Sequence, residues 1–461
     1  MPAEGKSDAE RTGSIGCNKI YYLWKMLSEF QEHLATTFPY IKEKRLLLAV
    51  SGGIDSMVMA ELFRLSGYGV SIAHCNFGLR GQESDGDEEF VRQYAKENGI
   101  KLFSSRFDTA SFAADNKLSI QVAARQLRYI WFHQLLEENN LDYVLTAHHL
   151  DDNLETFLIN FTRGTGLDGL TGIPLQNDKV IRPLLPFTRD DIETYAKVNN
   201  MNWREDSSNA SGKYLRNKLR HDVVPMLKEL NPSFSESFRN TISNLQQAES
   251  LVHDAAILMY QQVVAEKEGQ KHINLAQLLR LPNYKAYLYQ WLKPFGFTAW
   301  DDIYALVEAQ PGKQVHAPGY RLLKDRGTLV LEGLKPEDRT VYEIAEGTSV
   351  VDLPIPITLE IIYTFSNIVT KNAVFVNNNL IKFPLFVRKW QEGDYFYPLG
   401  MNGQKKKVSK YFKDEKMSLS EKENTWLLCS GNDIIWIIGR RADERFKVNH
   451  ATDTILKIEV L

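Results

Sequence analysis

The amino-acid sequence predicts an α/β fold in which a doubly wound parallel sheet is followed by a helical domain and a small mixed α/β domain at the C-terminus. In the first half of the chain, short apolar runs alternate with segments long enough for one helix each, which is the pattern of a parallel sheet with crossover helices. From about residue 231 to 313 the pattern is helical and shows no strand alternation, and β-branched runs return after residue 314. The strand-like runs of the first half are RLLLAV (45 to 50), VSIAHCNF (70 to 77), KLFSSRF (101 to 107) and YVLTAHH (143 to 149).

The length of 461 residues predicts two or three domains. We place an N-terminal tail and helix at 1–44, the α/β domain at 45–228, a helical middle domain with a connector at 229–375, and the C-terminal domain at 376–461. No apolar stretch approaches the ~20 residues that span a bilayer, and the first residues lack the apolar core of a signal peptide. We therefore expect no membrane association.

The spacing of the cysteines and the net charge limit the classes of function that fit this chain. Cys17, Cys75 and Cys429 form no CxxC pair, which fits a reducing cytoplasm and argues against zinc ribbons and iron–sulfur clusters. The net charge of −3 produces no global positive field, so a nucleic acid would have to bind local basic patches. Two such patches exist: residues 213–220 carry four basic residues and no acid, and residues 381–416 carry nine Lys/Arg against four Asp/Glu.

The turn Ser51-Gly52-Gly53-Ile54-Asp55-Ser56 follows an apolar strand and opens a helix. Backbone N–H groups without Cβ obstruction, at the positive end of a helix dipole, make a site for an anion. Asp55 would repel a phosphate unless a cation such as Mg²⁺ lies between them, so the turn predicts a nucleotide with a metal. The alternative is a tight turn in which Asp55 serves only the helix dipole. Neither the Walker pattern nor G-x-G-x-x-G is present here.

The segment TAHHLDDNLET, residues 146 to 156, also follows a strand, so it emerges on the same carboxyl edge of the sheet as the turn. Three- and four-residue spacings would place Asp152, Glu155 and Thr156 on one helix face. Paired carboxylates can hold Mg²⁺, or can bind and deprotonate an ammonium group. The alternative is a pair of acids that only suit the helix dipole in solvent. His148 and His149 lie beside them, although a structural role for His149 is at least equally supported.

The turn resembles the SGGxDS pyrophosphate loop of the N-type ATP pyrophosphatases (the PP-loop superfamily, of adenine nucleotide alpha hydrolase-like fold), which split ATP to AMP and pyrophosphate. Further motifs resemble the tRNA(Ile)-lysidine synthase family, and together they run from about residue 45 to 448. The chain departs from that family at Cys75, where many members have an acid after the histidine, and after Lys416, where Pro and Arg are often found. The matching motifs are AARQLRY (123 to 129), RGTGLDGLTGI (163 to 173), the tail EGDYFYPLGMNGQKKKVSKYFKD, and Asp206, Ser208, Asn209, Arg216, Asn217, Arg220, His221, Pro225 and Leu227.

The resemblance implies a ligase that uses ATP and Mg²⁺ to join L-lysine to C2 of the wobble cytidine of the isoleucine tRNA with a CAU anticodon. The O-adenylated cytidine is the intermediate, and the product, lysidine, reads AUA instead of AUG. The turn 51–56 would bind pyrophosphate with Mg²⁺ near Asp55, and Asp152 and Glu155 would position and deprotonate lysine, to which Asp55 also contributes. The residues expected to contact substrate or tRNA are Arg125, Arg216, Arg220, Lys405, Lys406, Lys407, Lys410 and Lys413.

Other interpretations stay open at this point. Arg125 is equally well explained as a surface charge of an amphipathic helix, and the lysines of the tail as a solubilising loop. A tRNA thiolase of the same superfamily would need a nucleophilic or cluster-binding cysteine, for which Cys75 is weak support. A non-catalytic RNA-binding module would not require Asp55, Asp152 and Glu155. The sequence is compatible with a homodimer.

Overall fold

A computed structural model describes residues 25–205, 215–267, 269–334, 338–352, 354–364 and 372–461. The chain forms two compact units, Met1–Val252 and His253–Leu461. Within the described residues, no helix combines the length and apolar character needed to cross a membrane.

The first unit is built on one six-stranded sheet. Its strands are β1 (Leu46–Ala49), β2 (Val70–Asn76), β3 (Lys101–Arg106), β4 (Tyr143–Leu145), β5 (Gln176–Asn177) and β6 (Val180–Ile181). Their order is β3-β2-β1-β4-β6-β5, and every neighbouring pair is parallel except β5 and β6. The predicted parallel sheet with its four strands is thus confirmed, and the strand order reverses direction beside β1, where ligands bind in folds of this type.

Helices cover both faces of this sheet. Leu46 and Leu48 of β1 pack into one core and Leu47 into another on the opposite face, all fully buried, because successive strand residues point to opposite faces. The helices of this unit are α1 (25–37), α2 (Ile54–Leu65), α3 (Gln82–Glu97), α4 (Thr109–Asp115), α5 (Ile120–Glu138), α6 (Leu150–Arg163), α7 (Leu167–Leu170), α8 (Arg189–Val198), α9 (Leu215–Lys218), a π-helical turn (Leu219–Val223) and α10 (Val224–Leu230), with a 3₁₀ turn at Pro39–Ile41.

A long helix, α11 (Phe234–Val263), leads into an antiparallel sheet of five strands. The expectation of no strand between residues 231 and 313 is wrong at β7 (Val264–Lys267) and β8 (Gln270–Asn274). Three of the four β7 residues are exposed, so this edge strand lacks the apolar alternation that marks a half-buried strand. The other elements of this region are α12 (Leu275–Leu278), α13 (Tyr284–Leu292), a 3₁₀ turn (Lys293–Phe295), α14 (Trp300–Leu306), β9 (Gln314–Ala317), β10 (Tyr320–Asp325) and β11 (Thr328–Gly333).

The C-terminal region is mixed, as predicted, with two four-stranded antiparallel sheets and short helices. Apolar side chains of both sheets, among them Leu428, Trp436 and Ile458, form one buried core. The elements are β12 (Tyr342–Ile344), β13 (Val350–Val351), β14 (Ile357–Ile362), β15 (Ala373–Asn377), β16 (Leu385–Lys389), β17 (Tyr395–Phe396), β18 (Lys406–Lys407), α15 (Val408–Asp414), α16 (Leu419–Asn424), β19 (Trp426–Ser430), β20 (Asp433–Ile437) and β21 (Ile455–Val460), with 3₁₀ turns at Asn378–Leu380 and Glu444–Phe446.

Candidate active site

The turn of residues 51–56 joins β1 to α2 at the carboxyl edge of the parallel sheet. Gly52 has φ +96°, a conformation that disfavours any side chain. The Ser56 hydroxyl donates to the Gly53 carbonyl at 2.8 Å and accepts from the Ser51 N–H at 3.1 Å. The N-cap of α2 is Gly53, which provides no capping side chain, so the helix N-terminus keeps the character of an anion site.

A cavity of about 370 Å³ opens beside this turn. The side chains of Ser51, Asp55 and Ser56 line one part of it, and Asp152 and Arg216 line another. The apolar remainder comes from the ends of β1, β2 and β4 and from α5, including Phe77, Tyr129 and Phe132. The anion-binding turn and the predicted carboxylate helix therefore face the same space.

Asp152 and Glu155 lie in the first two turns of α6, as the sequence predicts. Glu155 is 1% exposed, and its carboxylate accepts from Arg216 Nε at 2.5 Å and from Arg220 Nε at 2.6 Å. The Asp152 carboxylate accepts from Arg216 Nη2 at 2.9 Å and from the backbone N–H of His149 at 3.1 Å. Two buried or half-buried carboxylates and two more exposed guanidinium groups thus form one cluster, which we call the acid–arginine cluster.

The electrostatics of the cluster favour the charged forms. Burial raises the pKa of Asp152, but His149 and Arg216 more than offset this effect and hold the pKa below its ordinary value. Burial lowers the pKa of Arg220, whereas Glu155 and Asp152 raise it, with a net rise. Charge-assisted hydrogen bonds of this type stabilise both partners. Asp152 is accordingly a carboxylate near neutral pH.

The two arginines, which we expected to contact substrate or tRNA, lie against the predicted catalytic acids. They come from α9 and from the π-helical turn that follows it. A π-helical turn changes the angular step between side chains and occurs often at functional sites. Arg216 and Arg220, four residues apart, contact the same Glu155 carboxylate.

Asp55 faces the cavity with its side chain 27% exposed, and both of its carboxylate oxygens accept from Arg189 Nη1, at 2.7 and 2.6 Å. His149 lies between the acids, with Nε2 at 3.7 Å from Asp55 Oδ1 and 3.4 Å from Asp152 Oδ2. Its buried Nδ1 has no hydrogen-bond partner in the described part of the chain. Sequence reasoning missed Arg189, although it begins α8 directly after β6 and so lies at the same sheet edge.

His148 and the AARQLRY motif complete the rim of the cavity. Burial lowers the pKa of His148 to about 4. Asp152 opposes this shift, whereas Arg182, Arg216 and Arg125 reinforce it. Arg125 stacks over the Tyr129 ring at 5.0 Å and is exposed, whereas Arg128 lines the cavity. The motif therefore contributes Arg128 and Tyr129 directly to the cavity, and Arg125 lies behind Tyr129.

Cys75 also lines the cavity, and burial raises its pKa to about 12. Burial likewise raises the pKa of Cys429, in the second unit, to about 11. Neither thiol is a thiolate near neutral pH, which is the form that attacks or binds a cluster. Cys17 and the motif residues Asp206, Ser208 and Asn209 lie outside the described residues. Among the residues that are described, no group of three or more His, Cys, Asp or Glu could hold a metal ion by itself.

The lysines of the tail lie in the second unit, around β18 and α15. The Lys405 amine lies 3.4 Å from the centroid of the Tyr395 ring. Lys406 is 16% exposed in its side chain and pairs with Asp414 at 2.9 Å, whereas Lys407 is exposed. The three consecutive lysines are therefore not equivalent.

The parallel sheet, the Gly-rich turn and the carboxylates at one sheet edge define the chain as a PP-loop protein. A family model described as the PP-loop domain matches residues 26–227. Two more, described as the TilS substrate binding domain and the TilS substrate C-terminal domain, match residues 266–335 and 385–459.

The chain is 38% identical to the tRNA(Ile)-lysidine synthase of Parabacteroides distasonis, over 91% of this chain and 96% of that protein. It is 37% identical to the enzyme of the same name from Bacteroides thetaiotaomicron, over 94% and 97%. The chain therefore belongs to the tRNA(Ile)-lysidine synthase family, which confirms the resemblance seen in its motifs. It is an ATP-using ligase that acts on tRNA, and lysidine formation is the function of its family.

Among solved structures, the chain is similar to the U34-tRNA thiolase NcsA from Methanococcus maripaludis. The identity is 18% and the TM-score 0.40, over 48% of this chain and 79% of that chain. Similarity at this level does not bear on activity.

Proposed function

We propose that this chain joins the side-chain amine of L-lysine to C2 of the wobble cytidine in the isoleucine tRNA with a CAU anticodon. The observation that carries the proposal is that Asp152 lines the same cavity as the turn of residues 51–56, and that Arg216 joins Asp152 to the buried Glu155. ATP would be split to AMP and pyrophosphate, and the product would read AUA instead of AUG. Residues 45–228 would catalyse the reaction, and residues 376–461, with help from the middle domain, would grip the tRNA.

The first step is adenylation of the base. The C2 oxygen of cytidine attacks the α-phosphorus of ATP, and pyrophosphate leaves toward the turn, where Ser51, Ser56 and the N-terminus of α2 would bind it. Donors aimed at the departing negative charge lower the barrier because they are already oriented before the reaction. In the second step the lysine amine attacks C2, and AMP leaves with the oxygen that was bonded to C2.

The residues present fit a Mg²⁺ ion. One carboxylate that faces a phosphate site is the usual protein contribution, because Mg²⁺ takes most of its other ligands from phosphates and water. Asp55 is such a carboxylate, and it now faces Arg189. When bound, Mg²⁺ would offset the negative charge of the phosphates. Asp55 would exchange the guanidinium for the cation, and Arg189 would remain close enough to contact a phosphate oxygen.

The lysine amine has a reference pKa of ~10.4 and must lose a proton before it attacks. Carboxylates in contact with the ammonium both orient it and accept that proton. Asp152 and Glu155 already pair with two other cations, the guanidinium groups of Arg216 and Arg220. We propose that substrate phosphates draw Arg216 and Arg220 away from these acids, which leaves the acids to the lysine ammonium.

The remaining partners are part of the same proposal. Lys405, Lys406 and Lys407, together with Arg125, would contribute to tRNA binding through phosphate contacts. The chain would work in the cytoplasm, where its tRNA substrate is found. A homodimer is proposed as a state to be tested by light scattering.

The test is to incubate the protein with ATP, Mg²⁺, radiolabelled lysine and the isoleucine tRNA, and to count label in the RNA. We expect ATP-dependent incorporation that is lost when the wobble cytidine is replaced by uridine. Absence of incorporation into the cytidine-bearing tRNA, with ATP still cleaved in the presence of another donor, would contradict the proposal.

The thiolase alternative has a separate test. Because burial keeps the Cys75 thiol protonated, the Cys75→Ala variant should incorporate lysine at close to the wild-type rate. Loss of activity in this variant, with an unchanged melting temperature, would favour chemistry that passes through the thiol.

A further inference from the structure

The anion-binding turn is attached to a distant part of the first unit through Gly52. The Gly52 carbonyl accepts from the backbone N–H of Arg204 at 3.0 Å. In a trans peptide the carbonyl and the next N–H point in opposite directions. A contact that fixes the Gly52 carbonyl therefore also fixes the direction of the Gly53 N–H, which points to the side of the Ser51 hydroxyl, at 3.3 Å.

The side chain of Arg204 is held by a buried acid on α3. Arg204 Nε donates to Asp87 Oδ1 at 2.9 Å, and Arg80 Nη2 donates to the other oxygen at 2.7 Å. Asp87 is 7% exposed as a residue. A single carboxylate therefore joins the segment before α3 to the segment that carries Arg204, through charge-assisted hydrogen bonds.

The neighbouring glycine shows that space has been kept for this guanidinium. Gly86 lies inside α3, where glycine is less favourable than alanine. A Cβ at this position would lie 3.0 Å from Arg204 Nη2. On the other side, a Cβ at Gly52 would lie 3.8 Å from Arg204 Cγ. The arginine side chain, 43% exposed, thus lies between α3 and the turn.

We propose that Asp87 is a positioning residue for ATP: through Arg204 it orients the Gly52–Gly53 peptide of the pyrophosphate turn, and Gly86 leaves the room that this contact needs. This inference rests on the proposed role of the turn in binding ATP. Neither Asp87 nor Gly86 lines the cavity. Their effect should therefore appear in ATP affinity and not in the chemistry of the lysine amine.

The experiment measures the dissociation constant of labelled ATP with Mg²⁺ by equilibrium dialysis on the full chain, and the KM for lysine separately. We expect Asp87→Asn to weaken ATP binding about tenfold and to leave the KM for lysine within twofold of wild type. Gly86→Ala keeps every charge and displaces the guanidinium by only tenths of an ångström, so we expect about a threefold loss. The matched control is Glu89→Gln on the same helix, whose side chain is 74% exposed.

A double variant separates positioning from general loss of structure. Arg204→Gln removes the guanidinium and keeps the backbone N–H, so Asp87→Asn combined with Arg204→Gln should weaken ATP binding no further than either change alone. ATP affinity within twofold of wild type in both Asp87→Asn and Gly86→Ala would overturn the inference. So would equal losses for ATP and lysine. If Asp87→Asn does not fold, Gly86→Ala decides the question.

Failure of the proposed function has a different signature. It would appear as absence of lysine incorporation by the wild-type chain, whereas the dialysis experiment needs neither lysine nor tRNA.

Discussion

The turn of residues 51–56 and the acid–arginine cluster face the same cavity but are held by different kinds of contact. Within the turn, the hydroxyls of Ser51 and Ser56 bond to groups at most five residues away. In the cluster, Glu155 bonds to arginines that lie 61 and 65 residues further along the chain. These hydroxyl contacts are local, although the Gly52 carbonyl also accepts from the distant backbone N–H of Arg204, whereas the ion pairs and the accessibility of the acids depend on another segment.

The difference has a functional consequence. A turn whose hydrogen bonds are formed before substrate arrives could bind an anion without rearrangement. The acids of the cluster are neutralised by guanidinium groups, so a lysine ammonium must compete with them. Access to the acids is therefore coupled to whatever draws Arg216 and Arg220 away, and phosphates of the substrates have the right charge.

The largest expected effect is on the cluster. Glu155→Gln keeps the shape of the side chain but removes its charge and most of its capacity to accept a proton. We expect turnover to decrease by about 100-fold or more, while the affinity for ATP stays within threefold. The control is Glu137→Gln, an exposed acid on α5. A near-normal rate in Glu155→Gln would remove this residue from amine activation.

A change in the turn should affect ATP binding, whereas the change in the cluster should affect turnover. Gly52→Ala forces a side chain into φ +96°, and left-handed strain of about 1–2 kcal/mol corresponds to a loss of roughly 5- to 30-fold. We expect the KM for ATP to rise by that factor and the KM for lysine to change little. The two kinetic constants are measured with the other substrates saturating. A rise in the lysine KM alone would contradict the division of roles between turn and cluster.

A smaller effect is expected in the tail, where one lysine differs from its neighbours. Lys407 is exposed, so Lys407→Ala should weaken tRNA binding a few-fold and lower the slope of log affinity against log salt by about 1. Lys406 already pairs with Asp414, so Lys406→Ala should leave that slope nearly unchanged. Binding titrations at several salt concentrations give both slopes, and equal slopes for the two variants would contradict the assignment.

The smallest effect concerns pH. Folding lowers the pKa of His148 from its ordinary value to about 4, so between these two values the unfolded chain binds more protons than the folded one. The contribution of His148 to stability is therefore complete above the ordinary histidine pKa of ~6.5 and is lost as the pH falls toward 4. His148→Gln should reduce the drop in melting temperature between pH 7 and pH 5. The exposed His133 provides the control variant His133→Gln, and an identical drop in wild type and His148→Gln would contradict this prediction.

Much of the architecture could be predicted because it depends on patterns along the chain. Runs such as RLLLAV and YVLTAHH correspond to β1 and β4, and the interruption at Gly52 and Gly53 marks the start of α2. The hairpin of β7 and β8 was missed because its outer strand is mostly exposed and carries no apolar alternation. The expected roles of the site residues were assigned by resemblance, and they stay predictions.

The sequence by itself determined the individual strands, the Gly-rich turn and the placement of Asp152 and Glu155 on one helix, because each depends on residues within about one helical turn or one strand. Only the tertiary structure decided that Arg216 and Arg220 neutralise these acids, that Arg189 covers Asp55, and that Asp87 reaches Gly52 through Arg204. The physical reason is the separation along the chain of the residues involved. A backbone turn is set by local torsion angles, whereas an ion pair depends on where folding brings distant segments together.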